Sequence, residues 1–238
     1  MSEPRERVEA LLGPALASLD AITAAAGEQA SVAGQFVQYK LFATYHLADQ
    51  IREQLLPTTA APKQDGSAAP TLSKEEKFAL YVLVDSFLFE GASIRDALLQ
   101  FANVIFDLGI AESDRGMGAS VRRRLSAICI GTTGLEEWME PSQPWLKRLR
   151  TLRDVATHRR PLRIPTAYKL KLYGPEGGSS RLYGREGGSS RIMIESDGGP
   201  FEPLIEFINH TEQNLAGLLK TSLDHLRAFH AEWRSLTP

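Results

Sequence analysis

The chain has 238 residues, of which 43% are hydrophobic and 24% are charged, and its formal net charge is −2. This length and composition are typical of a globular protein with a sizeable core and one or two domains. The near-neutral charge argues against a protein that coats nucleic acid with its whole surface. The single cysteine, Cys129, excludes an internal disulfide and a cysteine-based zinc cluster, and it indicates a small buried side chain in a reducing compartment.

The N-terminal residues are polar and of mixed charge, which predicts that no signal peptide begins there. The most apolar run, FALYVLVDSFLF at residues 78–89, is too short to cross a bilayer and contains Asp85. It predicts a helix that is buried on most sides. We therefore expect a cytoplasmic protein that does not bind membranes.

Apolar residues at helical spacing predict two helices at the start of the chain. The first covers residues 5–26, with an interruption at Gly13 and Pro14. The second covers residues 31–56 and ends at Pro57, because a proline has no backbone N–H to continue the helical hydrogen bonds.

The composition of the next segment predicts the domain organisation. Residues 57–72 are rich in alanine and proline, which is typical of a flexible linker. We therefore assign residues 1–56 to N-terminal helices packed on a bundle, and residues 73–236 to a helical domain.

A capping box begins the helical domain. Ser73 is followed three residues later by Glu76, and this spacing predicts the start of a long helix that ends near Gly109. Further helices are predicted by the apolar spacing at residues 117–130, 143–159 and 201–233.

Before the last helix the pattern changes to that of β-strands. Residues 168–172 alternate and residues 191–195 are β-branched and apolar, which predicts a β-hairpin at 166–196. Two nearly identical copies of a ten-residue segment, LYGPEGGSSR and LYGREGGSSR, occupy residues 172–191, and their Gly-Gly-Ser-Ser runs predict a flexible tip. The predicted fold class is therefore all-α, a helical bundle with a small β-hairpin insertion.

The five histidines form no metal-binding motif. None belongs to a His-Glu-x-x-His sequence, and His225 and His230 are five residues apart, so they do not share a helix face. We expect His210, His225 and His230 to be exposed and His46 to be packed. The sequence predicts no metal ion and no other cofactor.

Residues 145–163, WLKRLRTLRDVATHRRPLR, carry the largest local charge. They contain seven basic residues and one acid, Asp154, so their charge is +6 in a chain of net charge −2. Such a concentration predicts a surface that binds phosphate groups. The alternative is a helix end whose cations complement the helix dipole, which explains Arg159 and Arg160 better than the earlier arginines.

Spacing places three of these residues on one stripe of a helix. Arg150, Asp154 and His158 follow each other at i, i+4, so Asp154 is predicted to accept a hydrogen bond from the imidazole, to orient it and to favour its protonated form. Arg153 lies five residues before His158, which is about 140° around a helix. The two side chains converge only if the helix end distorts, or if a second copy contributes its own pair across a two-fold axis.

An arginine, a polar residue and a histidine at a helix end resemble the R-x4–6-H motif of HEPN domains (higher eukaryotes and prokaryotes nucleotide-binding). Arg153, Asp154 and His158 match its three positions. Residues 86–110, SFLFEGASIRDALLQFANVIFDLGI, resemble the long second helix of a bacterial HEPN subfamily that also has a short hairpin before its last helix. The resemblance covers about residues 73–236.

The resemblance implies a metal-independent endoribonuclease that acts on RNA as a homodimer, in a toxin-like or defence-like role, with an antitoxin or regulatory protein as a further partner. His158 is then the general acid or base, Arg153 stabilises the reacting phosphate, and Asp154 holds the imidazole. Flanking RNA phosphates are contacted by four further arginines, Arg150, Arg159, Arg160 and Arg163.

The sequence departs from some members of the family at one position. Arg160 stands two residues after His158, where some toxin members carry a tyrosine that a partner nucleotidylates. Many HEPN domains are not catalytic and serve as nucleotide-binding, RNA-binding or dimerisation modules. Such a module, and a helical adaptor whose basic helix contacts a protein, are the alternatives to a ribonuclease.

Overall fold

The computed structural model describes residues 4–59, 72–128, 131, 134–158, 193–195 and 201–236. These residues form an all-α fold of the helical-bundle class, which confirms the predicted fold class. The elements in chain order are the helices and strands α1 (Pro4–Ala26), α2 (Glu28–Thr59), α3 (Lys74–Ile105), α4 (Met117–Ala127), α5 (Glu136–Met139), α6 (Pro144–His158), β1 (Met193–Glu195), β2 (Phe201–Pro203) and α7 (Leu204–Leu236).

Two prolines that were expected to interrupt or end helices lie inside them. Pro14 is exposed within the continuous helix α1, and α2 extends past Pro57 to Thr59. A proline in a helix interior costs about 3 kcal/mol. In α1 this cost is offset by the burial of Leu12 and Leu19, which are both 0% exposed, on the opposite side from Pro14.

The predicted capping box at the start of α3 is confirmed. The backbone N–H of Ser73 donates to Glu76 Oε2 at 2.6 Å, and the backbone N–H of Glu76 donates to Ser73 Oγ at 3.1 Å. The backbone hydrogen bond from Ser73, and then the one from its side chain, lower the pKa of Glu76. The two residues therefore satisfy backbone donors that the helix itself leaves unpaired.

Helix α3 ends four residues before the predicted position at Gly109. Asp107 and Gly109 adopt left-handed backbone angles, with φ of 47° and 62°, and a helix cannot continue through them. The side chain of Asn103 then fixes the loop, because it donates to the carbonyl of Ile110 and accepts from its N–H, both at 3.0 Å.

The chain divides into two compact units. Unit 1 consists of Met1–Tyr45, Phe89–Leu149 and Thr211–Pro238, and unit 2 consists of His46–Leu88 and Arg150–His210. The predicted division at residues 1–56, 57–72 and 73–236 stays a prediction, and residues 60–71 of the predicted linker lie outside the described part of the chain.

The core of unit 1 contains buried side chains from six helices, α1 to α5 and α7. Trp138, Tyr45, Phe101 and Leu12 are all fully buried, and the Tyr45 hydroxyl donates to the carbonyl of Glu212 at 2.7 Å. The sequence did not predict the short helix α5, because four residues are too few to show a helical period. A side chain from α3 holds its end: the Arg95 guanidinium donates to the carbonyls of Trp138 at 2.5 Å and Met139 at 3.2 Å.

The core of unit 2 is smaller. Phe87 and Phe207 meet edge to face with ring centroids 6.4 Å apart, and Leu152 of α6 is buried in the same unit. Arg52 is held by Asn209 at 2.8 Å and by Asp49 at 2.9 Å. These residues belong to the same unit as the α6 segment that carries the predicted site.

The strand predicted at the end of the 166–196 hairpin is present as β1. The strand with which it pairs, β2, was not predicted. β1 pairs antiparallel with β2, with Ile194 opposite Glu202. The sequence assigned residues 201–203 to the last helix, which in fact begins at Leu204. Residues 166–192, which include the strand predicted at 168–172 and the duplicated segment at 172–191, lie outside the described residues.

The expectation that residues 78–89 are buried on most sides is wrong. Leu80, Val84 and Phe87 are buried, but Phe78 is 71% exposed and Phe89 is 46% exposed. An amphipathic helix buries one stripe of apolar residues and leaves the others at the surface, and a run of continuous apolar residues does not show which stripe is buried.

The described helices include one that is long and apolar enough to cross a membrane. It is the stretch Val8–Ala26 of α1, with mean hydropathy 1.3 and 33% of its window buried. A core helix or a signal sequence has the same length and composition, so this feature is weak evidence for a membrane span. The predicted cytoplasmic location stays a prediction.

Candidate functional site

Helix α6 positions the residues of the predicted site. Pro144 is its first residue, where the fixed φ of proline favours the helix and its missing N–H is not needed. The preceding turn is held by Glu137, whose carboxylate accepts from the backbone N–H groups of Ser142 at 2.9 Å and Gln143 at 3.0 Å. The start of α6 is therefore determined by residues close to it in the chain.

The part of α6 in unit 2 is anchored by its apolar face. Leu152 is 0% exposed and Val155 is 5% exposed, whereas Arg150, Arg153 and Asp154 are partly exposed. Because the leucine and valine fix the rotation of the helix, the three charged residues lie where solvent and a ligand can reach them.

Arg153 and Asp154, adjacent in sequence, form an ion pair. Arg153 Nε lies 3.1 Å from Asp154 Oδ1, and the two side chains are 28% and 49% exposed. An ion pair with this exposure contributes little to stability, about 0–1 kcal/mol. Its main effect is therefore local, because the carboxylate holds the guanidinium at the surface of the helix.

The backbone of α6 is helical from Pro144 through His158. Arg150, Asp154 and His158 thus keep the i, i+4 spacing that was predicted, and Arg153 remains about 140° from His158 around the axis. The helix is continuous from Pro144 to His158, but residues 159–163 lie outside the described part of the chain. Both ways in which these residues could converge, a distorted helix end and a second copy, therefore stay predictions.

The structure describes only part of the predicted site. The side chains of Arg150, Arg153 and Asp154 are placed, whereas for His158 only the helical backbone is described. The predicted hydrogen bond between Asp154 and the imidazole therefore concerns a side chain outside the described part. The same holds for three predicted RNA-binding residues, Arg159, Arg160 and Arg163.

One acid in unit 2 was not predicted as a functional residue. Asp85 lies on α3, and its Oδ1 is buried without a hydrogen-bond partner among the described residues. Burial raises the pKa of this carboxyl. The signal in the sequence is a single acid inside the apolar run at 78–89.

The described histidines differ from the predictions in three places. His225 was expected to be exposed, but it is partly buried, and its Nδ1 is buried without a hydrogen-bond partner among the described residues. His46 is exposed rather than packed, and His230 is 3% exposed rather than solvated. The His230 ring lies against Phe106 and Trp233, with centroid separations of 6.1 and 6.0 Å. His210 is exposed, as predicted. Helical periodicity alone did not distinguish these positions, because the turn that covers His230 comes from a distant part of the chain.

Within the described residues, no group of three or more His, Cys, Asp or Glu side chains could hold a metal ion. No model of a known protein family matches the sequence, and the comparisons with curated proteins and with solved structures also give no match.

Proposed function

We propose that this protein is a metal-independent endoribonuclease of the HEPN type, which acts in the cytoplasm as a homodimer in a toxin-like or defence-like role. The observation that carries the proposal is the arrangement on α6. Arg153 pairs with Asp154 at 3.1 Å on a partly exposed face, and the helix continues without a break to His158. The surrounding segment has a charge of +6, which attracts a polyanion.

In the proposed reaction His158 removes the proton from an RNA 2′-hydroxyl. The 2′-oxygen forms a bond to the adjacent phosphorus, and the bond from phosphorus to the 5′-oxygen breaks. The departing 5′-oxygen takes up a proton, so the products are a 2′,3′-cyclic phosphate and a 5′-hydroxyl. A histidine suits both proton transfers because its ordinary pKa is near neutrality.

The arginines supply positive charge in this scheme. Arg153 stabilises the charge that develops on the five-coordinate phosphate, and Asp154 keeps that guanidinium in place. Further contacts to RNA phosphates are assigned to Arg150, Arg159, Arg160 and Arg163. These contacts are independent of base sequence and weaken as the salt concentration rises.

The helical geometry supports a homodimer. Because Arg153 and His158 are about 140° apart on α6, one phosphate contacts both more readily when they come from different copies. The proposal therefore places the Arg153 of one copy close to the His158 of the other.

Cleavage of single-stranded RNA in the presence of EDTA tests the proposal. We expect His158→Ala to abolish cleavage without a change in melting temperature. His210→Ala, which removes an exposed histidine of the same unit, should retain cleavage. A wild-type protein that does not cut RNA under these conditions would contradict the proposal.

Mixed dimers test the shared site. Arg153→Ala and His158→Ala are each expected to be inactive alone, because each lacks one half of every site. After the two are unfolded and refolded together, dimers with one variant of each kind contain one complete site, and part of the activity should return. No return of activity would show that both residues act within one chain.

The second candidate is a non-catalytic module that binds RNA or nucleotides or holds a dimer. The Arg153–Asp154 pair also allows it, because the carboxylate offsets the guanidinium charge that a five-coordinate phosphate needs, whereas the surrounding charge of +6 still attracts RNA. In this case the wild type binds RNA with a salt-dependent affinity but does not cut it, and His158→Ala binds equally well. A regulatory protein or antitoxin is then a partner of the same surface.

A further inference from the structure

Unit 1 contains a pocket that the proposed ribonuclease site does not use. Its volume is about 390 Å³, and it lies between the end of α1, the end of α3 and the end of α7. This volume is within the range of about 300–1,000 Å³ that is usual for small-molecule sites. All of its lining residues belong to unit 1.

The wall from α7 presents an aromatic surface. The Trp233 indole is held by the Phe106 ring, which meets it edge to face at 5.8 Å, and by the His230 ring at 6.0 Å. Ala25 and Val104 line the pocket with small apolar side chains. A flat ring can enter such a space, and an aromatic surface that is already fixed binds it with little loss of side-chain freedom.

Three polar residues line the same pocket. The carboxylate of Asp107 has no hydrogen-bond or ion-pair partner among the described residues, and it follows the end of α3 with a left-handed φ of 47°. The guanidinium of Arg234 donates to the carbonyl of Ala25 near the end of α1. The pocket therefore combines an anionic acceptor with a cation.

The third polar residue, His230, is 3% exposed, and its imidazole makes no hydrogen bond within the described residues. Burial, and then the charge of Arg234, lower its pKa. A neutral imidazole has one N–H donor and one acceptor nitrogen, so it complements a ring that carries both kinds of group.

We propose that this pocket binds a nucleobase that carries an exocyclic amine: adenine, cytosine or guanine. The base stacks on Trp233, its amine donates to the Asp107 carboxylate, and His230 contacts a ring nitrogen or carbonyl. Carboxylates are the usual acceptors for such amines. Stacking on an aromatic side chain is the usual source of affinity for unpaired bases. The inference rests on unit 1 alone and does not depend on the proposed ribonuclease.

Free nucleosides are the appropriate probes, because they have no phosphate to bind the basic segment of α6. The chain has three tryptophans, so their indole N–H signals can be resolved in an NMR titration and assigned with Trp233→Phe. Adenosine, cytidine and guanosine should shift the Trp233 signal but not that of the fully buried Trp138. The control is 3-methyluridine, which has neither an exocyclic amine nor the ring N–H through which uridine could donate to the carboxylate. It should bind roughly ten-fold more weakly, because one charge-assisted hydrogen bond is lost.

Asp107→Gly removes the carboxylate, and glycine accepts the left-handed backbone without strain. We expect this variant to bind cytidine and 3-methyluridine equally. Glu112→Ala removes an exposed acid from the same loop, and it should retain the discrimination of the wild type. Ala25 is an exposed helix residue that lines the pocket, so Ala25→Phe should narrow the pocket and weaken the binding of all four nucleosides.

Equal binding of all four nucleosides to the wild type, or no shift of the Trp233 signal, would overturn the proposal. His158→Ala should leave the titration unchanged, so failure of this proposal can be distinguished from failure of the ribonuclease. Two further probes distinguish RNA from a free nucleotide as the source of the base. If the Trp233 signal saturates at a lower concentration of a short oligoadenylate than of AMP, the base belongs to RNA. If it saturates at a lower concentration of AMP, the base belongs to a free nucleotide.

Discussion

The indole N–H of Trp138 donates a hydrogen bond of 2.6 Å to the hydroxyl of Ser222, which is 84 residues later in the chain. Both side chains are fully buried. Ser222 Oγ also lies 2.5 Å from the carbonyl of Gly134 and 2.8 Å from that of Leu218, so its own proton has acceptors nearby. One hydroxyl thus connects α7 to the short helix α5 and to the turn before it.

Ser222→Ala should destabilise unit 1, because it leaves the Trp138 N–H buried without an acceptor. We expect a loss of about 1–3 kcal/mol in the free energy of unfolding, measured by urea denaturation. Ser235→Ala on the same helix removes an exposed hydroxyl and should have little effect. Equal stability of the two variants would show that another group replaces the serine.

Two glycine substitutions should change stability in opposite directions. A Cβ at Gly118 would lie 2.7 Å from the Met139 carbonyl oxygen and 2.9 Å from an Arg95 nitrogen, so Gly118→Ala should cost about 1–3 kcal/mol. A Cβ at Gly217 meets nothing within 4 Å, and Gly217→Ala in helix α7 should stabilise by about 0.4–1 kcal/mol. Thermal unfolding followed by circular dichroism measures both, and a more stable Gly118→Ala would contradict the close approach of α4 and α5.

Asp85→Asn should stabilise the protein at neutral pH. Because burial raises the pKa of this carboxyl, the folded state disfavours its charged form, and stability is lost as the pH rises from 3.8 through the folded pKa. The variant is neutral at every pH, so its advantage in melting temperature should be largest near pH 7 and should vanish towards pH 3.8. Asp96→Asn, an exposed acid on the same helix, is the control. The same advantage at every pH would exclude ionisation as its cause.

Because the His230 imidazole is buried, we expect the protein to lose stability at mildly acidic pH. The pKa of this imidazole is lowered by burial and by Arg234, so its contribution is present above the ordinary value of 6.5 and is lost as the pH falls through the folded pKa. The unfolding free energy of the wild type should therefore fall more steeply below pH 6.5 than that of His230→Phe. His210→Phe, at an exposed position, should show the slope of the wild type. Parallel curves for wild type and His230→Phe would contradict the burial of a neutral imidazole.

Local interactions explain which features were predicted correctly. The Ser73–Glu76 capping box and the helical period of α3 and α6 depend on residues three or four apart, and both are present. The error at Pro14 has a different origin. A local rule counts the hydrogen bond that a proline removes, but the burial of Leu12 and Leu19 compensates for it through residues elsewhere in unit 1.

The candidate site also contains one feature that the spacing predicted and one that it did not. Spacing alone placed Arg150, Asp154 and His158 on one stripe, since a helix fixes the angle between residues four apart. It did not predict that Asp154 pairs with its neighbour Arg153, because side chains adjacent in a helix point in different directions and meet only through their rotamers.

The helical class of this protein, the start of α3 and the concentration of positive charge around α6 could be predicted from the sequence, because each depends on residues close together in the chain. The tertiary structure sets which apolar residues are buried, brings His230 against Phe106 and Trp233, and pairs β1 with β2. It also placed Trp233 and Asp107 in one pocket, although they are more than a hundred residues apart. Burial and such long-range contacts depend on which distant segments pack together, and the period of a single helix contains no information about its neighbours.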